Sequence, residues 1–94
     1  LPGKFALHPN YPNPFNPATF ITYDLPAESD IQLVIYDLMG RKVKTLINDV
    51  ESAGRKTAVW YAKDDFGNPV SAGVYLYRLL GGDKTFTRKM ILMK

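Results

Sequence analysis

The stretch Val74-Tyr-Leu-Tyr-Arg-Leu-Leu80 decides the fold. Tyr75, Tyr77 and Leu79 fall on one face and Arg78 on the other, the period-two alternation of a half-buried strand. Five further runs share that character. Phe20-Ile-Thr-Tyr-Asp-Leu25 puts Ile21, Tyr23 and Leu25 on one face. Ile31-Gln-Leu-Val-Ile-Tyr36 does the same with Ile31, Leu33 and Ile35. Residues 41–46 read as a more exposed strand, residues 55–61 as one rich in β-branched and aromatic side chains, and residues 85–93 as the last. A seventh strand is expected near residues 66–70 or in the N-terminal segment. Turn chemistry separates the runs: residues 26–30, Asp37-Leu-Met-Gly40, a polar loop over residues 48–54, residues 64–69, and Gly81-Gly82-Asp83 closing a hairpin. Gly40 and Gly67 supply positive φ where those turns require it. No window shows a helical period. Short strands with turns roughly every 8–12 residues predict an all-β, Ig-like antiparallel β-sandwich of about seven strands.

The aromatic residues have two readings. Trp60, Tyr61, Tyr75 and Tyr77 could form a flat platform for sugars, or they could fill the roughly 10 Å layer between two sheets. The second predicts that Leu33, Ile35, Trp60, Tyr75 and Tyr77 are buried together.

Composition narrows the class. The 94 residues are 46% apolar and 22% charged, which places the chain among ordinary globular domains rather than disordered ones. That length accommodates one domain, residues 1–94. The absence of cysteine excludes a disulfide framework, a thiolate metal site and a cysteine nucleophile. The net charge of +3 is too small to indicate nucleic acid. It is unevenly spread: residues 84–94 hold Lys84, Arg88, Lys89 and Lys94 with no acid. No apolar run approaches the roughly 18 residues needed for a membrane-spanning helix. Leu1-Pro2-Gly3 reads as the end of a linker, and residues 1–18 as an extended Pro/Asn-rich segment leading into the strands of residues 19–94. Within it, Tyr11 and Phe15 are expected to pin the proline-rich stretch against the core.

Candidate chemistry is sparse. The single histidine, His8, has only Ser29, Ser52 and Ser71 as serine partners for a triad, each in a turn or loop. One histidine without cysteine makes a poor transition-metal site. Asp64 and Asp65 could act as an acid–base pair or ligate calcium, but they lack the spacing and distant Glu of an EF-hand. Their simpler reading is a turn in which Asp and Asn bond nearby backbone. Gly81-Gly82 lies between strands, not before a phosphate-binding helix. No catalytic residue, cofactor or metal is expected. A binding, structural or addressing module is.

Three motifs in order are more specific. Asn10-Tyr-Pro-Asn-Pro-Phe-Asn-Pro17, Ile21-Thr-Tyr-Asp-Leu-Pro26 and Ile35-Tyr-Asp-Leu-Met-Gly-Arg41 resemble the opening of C-terminal sorting domains of the type IX secretion system. Ala53-Gly54, Trp60, Gly67-Asn-Pro-Val-Ser-Ala-Gly-Val-Tyr75, Tyr77-Arg78 and Thr87-Arg-Lys-Met-Ile-Leu-Met-Lys94 continue the resemblance to the chain's end. The same strands are similar to the Ig-like domain of the flagellar hook-capping protein. Asn10, Tyr11, Pro12, Asn13, Pro14, Phe15, Gly40, Arg41, Trp60, Gly73 and Tyr75 are the structural motif positions. Two departures stand out: His8-Pro9 replaces a more usual polar residue, and Tyr61-Ala62 follows Trp60 where relatives carry Asp-Gly.

The resemblance implies a non-catalytic address on a protein exported by Bacteroidetes-type bacteria. An N-terminal parent reaches the periplasm, the outer-membrane type IX translocon recognises the domain, and a surface sortase-like protease removes it in many members. The product then stays on the cell surface or is released. Recognition is expected at Arg88, Lys89, Met90, Ile91, Leu92, Met93 and Lys94. A basic-tipped apolar strand suits β-augmentation, although edge strands also carry lysine simply to discourage aggregation. The alternative is an accessory Ig-like module that binds carbohydrate or a surface for a large secreted enzyme.

Overall fold

A computed structural model describes residues 1–94 as seven strands: β1 (Ala6–Leu7), β2 (Thr19–Leu25), β3 (Ser29–Asp37), β4 (Lys42–Glu51), β5 (Gly54–Trp60), β6 (Gly73–Gly81) and β7 (Lys84–Leu92). They pair antiparallel in two sheets, ordered β1-β2-β5 and β4-β3-β6-β7. There is no helix.

Alternation produces the core. Ile21, Tyr23 and Leu25 from β2 face Ile31, Leu33 and Ile35 from β3, with Tyr75, Tyr77 and Leu79 from β6 beside them; all nine are buried. Each fully buried side chain of this size contributes roughly 1.5–3 kcal/mol. Trp60 is 1% exposed and Tyr75 6%, which removes the sugar platform. The indole lies between two rings, 5.7 Å from Phe15 and 5.2 Å from Tyr75 between centroids. Its Nε1–H donates to the Lys63 carbonyl at 2.9 Å, so the one polar atom of the indole is satisfied.

The turns follow their glycines. Gly40 has φ +83° and Gly67 φ +84°. Gly82, at φ +59°, opens the two-residue turn between the paired residues Gly81 and Lys84.

Two expectations need correction, and a third is narrowed to one of its alternatives. The loop expected over residues 48–54 is mostly strand: β4 runs to Glu51, in register with β3 through Asp30↔Val50 and Ser29↔Glu51. Asn48, Asp49 and Val50 are exposed there, and an edge strand tolerates such polar positions. Of the two places expected for a seventh strand, the N-terminal segment holds it, as β1, and residues 66–70 do not. Finally, the proline-rich segment is bent rather than extended, and only one of its aromatic residues pins it. Phe15 is 2% exposed, whereas Tyr11 is 76% exposed.

The bends are held by side chains. Asn10 Nδ2 donates to Thr19 Oγ1 at 3.0 Å and to the Pro12 carbonyl at 3.3 Å, and Thr19 Oγ1 donates to that same carbonyl at 2.9 Å. Asn and Thr thus supply donors to the Pro12 carbonyl in a stretch whose prolines offer no N–H of their own. Single bridges Tyr11↔Phe20 and Phe15↔Leu92 fix the two ends of the bend.

Phe15 is the wedge of this arrangement. Phe15→Ala should destabilise the domain by about 3–5 kcal/mol in chemical denaturation, the usual cost of emptying an aromatic core site, whereas Tyr11→Ala should change it by less than about 1 kcal/mol.

Candidate functional site

The terminal strand is bound on both edges. Its inner edge pairs with β6 from Gly73↔Leu92 to Gly81↔Lys84. On its outer edge the Phe15 N–H donates to the Ile91 carbonyl at 3.0 Å and the Met93 N–H to the Phe15 carbonyl at 2.9 Å. The Ile91 N–H donates to Asn13 Oδ1 at 3.0 Å. Two further bonds reach back to the start of the chain: Tyr77 O–H donates to the His8 carbonyl at 2.8 Å, and Arg88 Nε to the Leu7 carbonyl at 2.6 Å. The motif Asn13-Pro14-Phe15 is therefore a strap across the end of β7.

This divides the seven residues expected to be read in recognition. Met90 and Leu92 are 0% and 1% exposed and belong to the core. Arg88 is exposed but committed to β1. Lys89, Ile91, Met93 and Lys94 remain on the outside. Alternation put inward and outward residues together in one contiguous run, and the structure separates them.

Among the other candidates, His8 Nε2 lies 2.8 Å from Asp24 Oδ2. Asp24 also accepts from Arg55 Nε at 2.8 Å and Arg55 Nη2 at 3.2 Å. The Arg55 guanidinium first, then His8, hold the Asp24 carboxyl down at about 2 against an ordinary 3.8. Ser29 Oγ donates to the Ala27 carbonyl and Ser52 Oγ accepts from Lys56, so His8 is bonded to a carboxylate rather than a hydroxyl. Strand pairing could have indicated the Asp24–Arg55 contact, because Asp24↔Arg55 is a register pair of β2 and β5. Nothing local marked the carbonyls of Leu7 and His8 as anchors.

The carboxylates of Asp64 and Asp65 are occupied by structure. Asp64 Oδ1 accepts the N–H groups of Phe66 and Asn68, both at 2.9 Å. Asp65 Oδ1 accepts the Thr45 N–H at 3.0 Å, and the Asp65 N–H donates to the Val43 carbonyl at 3.0 Å, capping the free edge of β4. Tyr23, buried against β3 and β5, has its phenol pushed up by burial and by its 2.6 Å bond to Glu51.

The backbone at Tyr61-Ala62 shows why glycine suits the second position. Ala62 sits at φ +59°, the only non-glycine residue with positive φ, and is 4% exposed. Trp60 and Ala62 turn inward while Tyr61, 60% exposed, is turned out. Glycine takes this conformation without strain; alanine does not.

Fold and site together define an Ig-like β-sandwich whose first and last segments are locked to each other. The chain belongs to the family of secretion system C-terminal sorting domains, which matches residues 10–93. Such a domain is the sorting signal of the type IX secretion system, carried by a parent protein that is exported across the outer membrane. Two solved structures share the fold. One is dimeric latent PorU from Porphyromonas gingivalis, with TM-score 0.74 and 20% identity over 89% of this chain and 9% of that one. The other is PorZ, described as an essential bacterial surface component of the type-IX secretion system of the same organism, with TM-score 0.62 and 21% identity over 96% of this chain and 11% of that one. This chain thus spans about a tenth of either relative. No curated protein shows a significant match. No helix is long and apolar enough to cross a membrane.

Two measurements follow from this geometry. Because the Asp24 pKa is lowered on folding, its contribution is present above pH 3.8 and disappears as pH falls through about 2. Asp24→Asn should lower stability at neutral pH and flatten the acid limb of a pH–stability profile. At position 62, glycine should leave stability within about 0.5 kcal/mol of wild type, since strain relief offsets lost methyl burial, while Ala62→Val should cost about 2 kcal/mol or more.

Proposed function

We propose that residues 1–94 act as one unit that addresses an N-terminal parent protein to the outer-membrane type IX translocon. The parent passes through the periplasm first and is placed on the cell surface or released after a sortase-like protease has acted. The domain itself performs no catalysis and needs no cofactor. The observation that carries this reading is the family match over residues 10–93, coupled to a terminal strand held rigid by the Asn13–Phe15 strap. Of residues 88–94, those available for reading in the folded domain are Lys89, Ile91, Met93 and Lys94; Met90 and Leu92 contribute through the core, and Arg88 through β1.

The test is a periplasmic reporter fused ahead of residues 1–94 in a host with a compatible type IX system. The fusion should leave the cell. Deleting residues 89–94 should retain it in the periplasm, but that deletion also removes Met90 and Leu92 from the core. Lys89→Glu with Lys94→Glu separates the two causes, since surface charge changes shift stability by only about 0.5 kcal/mol. Retention with an unchanged melt supports recognition of the basic tips; normal export with an unchanged melt rules it out. If the intact domain exports nothing, the sorting assignment for this chain fails.

A further inference from the structure

The solvent side of the four-stranded sheet is unusually apolar. Strand register places four residues in one row, Lys42–Tyr36–Leu76–Lys89, and four in the next, Thr45–Val34–Arg78–Thr87. Leu80, Val74 and Ile91 extend the apolar centre on either side. A sheet face turned to water normally alternates to polar side chains. Here Val34 is 3% exposed on that face, beneath cover from its own neighbours, and Tyr36, Val74, Leu76 and Leu80 are half-buried with no second layer above them.

At the centre of this face the charge has one sign. Lys42, Arg78 and Lys89 stand among the apolar side chains, and no residue in those two rows is acidic. The one acid that alternation places on this side of β3 is Asp30, at the strand's far end. The Arg78 guanidinium lies over the Tyr36 ring, 5.0 Å from its centroid. Its Nε is shielded from solvent and has no hydrogen-bond partner. Buried donors are almost always paired, yet none of the domain's ion pairs includes Arg78, so its guanidinium has no carboxylate within the domain. An arginine stacked on tyrosine, ringed by aliphatic residues, is also the composition of an interface centre rather than of bare surface.

We infer that this face docks a protein surface presenting carboxylates around an apolar patch, and that the translocon supplies it. The inference rests on the sorting function proposed above. It locates the contact on side chains of β3, β4 and β6 as well as β7. Only Lys89, Ile91 and Met93 of the terminal residues lie on this side, which explains why a strand with half its residues in the core can still be read.

Lys42→Glu combined with Arg78→Gln leaves the terminal strand untouched and probes the face alone. In the reporter fusion with the full domain, this variant should reduce export by about ten-fold or more, as expected when a central cation is lost and a rim charge opposes its partner. Lys4→Glu with Lys84→Glu, equal or greater in charge change but off the face, should export normally. Thermal melts of all three proteins establish that each is folded. Export of the Lys42→Glu/Arg78→Gln protein at the wild-type level, with wild-type export intact, overturns the inference and leaves the sorting function standing. Failure of the wild-type fusion removes both. Sedimentation gives the last outcome: a wild-type dimer that Lys42→Glu/Arg78→Gln dissociates would assign the face to self-association and overturn the translocon contact. If Arg78→Gln proves unstable, Lys42→Glu alone serves the same comparison, because its side chain is exposed and lies outside the terminal strand.

Discussion

Everything in this fold depends on closing the two ends of the chain against each other. The last strand is an edge strand, and an edge presents a row of unpaired N–H and C=O groups. Here Phe15 offers its own N–H and C=O to that row while its ring enters the core beside Trp60. One residue thereby couples the apolar interior to the backbone ladder. Tyr77 and Arg88 reinforce the closure by donating to the His8 and Leu7 carbonyls. Prolines on either side leave Phe15 few alternative partners, because they contribute no donor of their own.

The opposite edge is treated with different means to the same end. Asp65 covers part of β4 with one carboxylate oxygen and one amide, and Lys44 lies 4.0 Å from that carboxylate. A sandwich of this size has little core to spare, and loose edges would invite pairing with other chains. Capped edges leave side chains rather than free backbone on offer at the two margins of the larger sheet.

Much of this was legible in the residues themselves. Period-two alternation in β2, β3 and β6 named the buried side chains correctly, because one face of each strand has nowhere to go but the core. The glycine turns at Gly40, Gly67 and Gly82 were equally readable. The extent of β4 was not, because an edge strand with one wet face admits Asn48 and Asp49 and so resembles a loop. The division of residues 88–94 was obscured for a related reason: a contiguous motif does not show which side of the pleat each member occupies. The strap lay furthest from view. Its bonds join residues about 80 positions apart, and two of its acceptors are plain carbonyls that carry no mark in the sequence.

Amide hydrogen exchange tests this closure most directly, because it reads the stability of individual backbone bonds. The account predicts that the amides of Phe15, Ile91 and Met93 exchange slowly and together, with protection approaching that of Tyr77 in the central strand β6. Fast exchange at Phe15 and Met93 beside a protected Tyr77 would show a loose terminal segment on a folded core, and would contradict the strap.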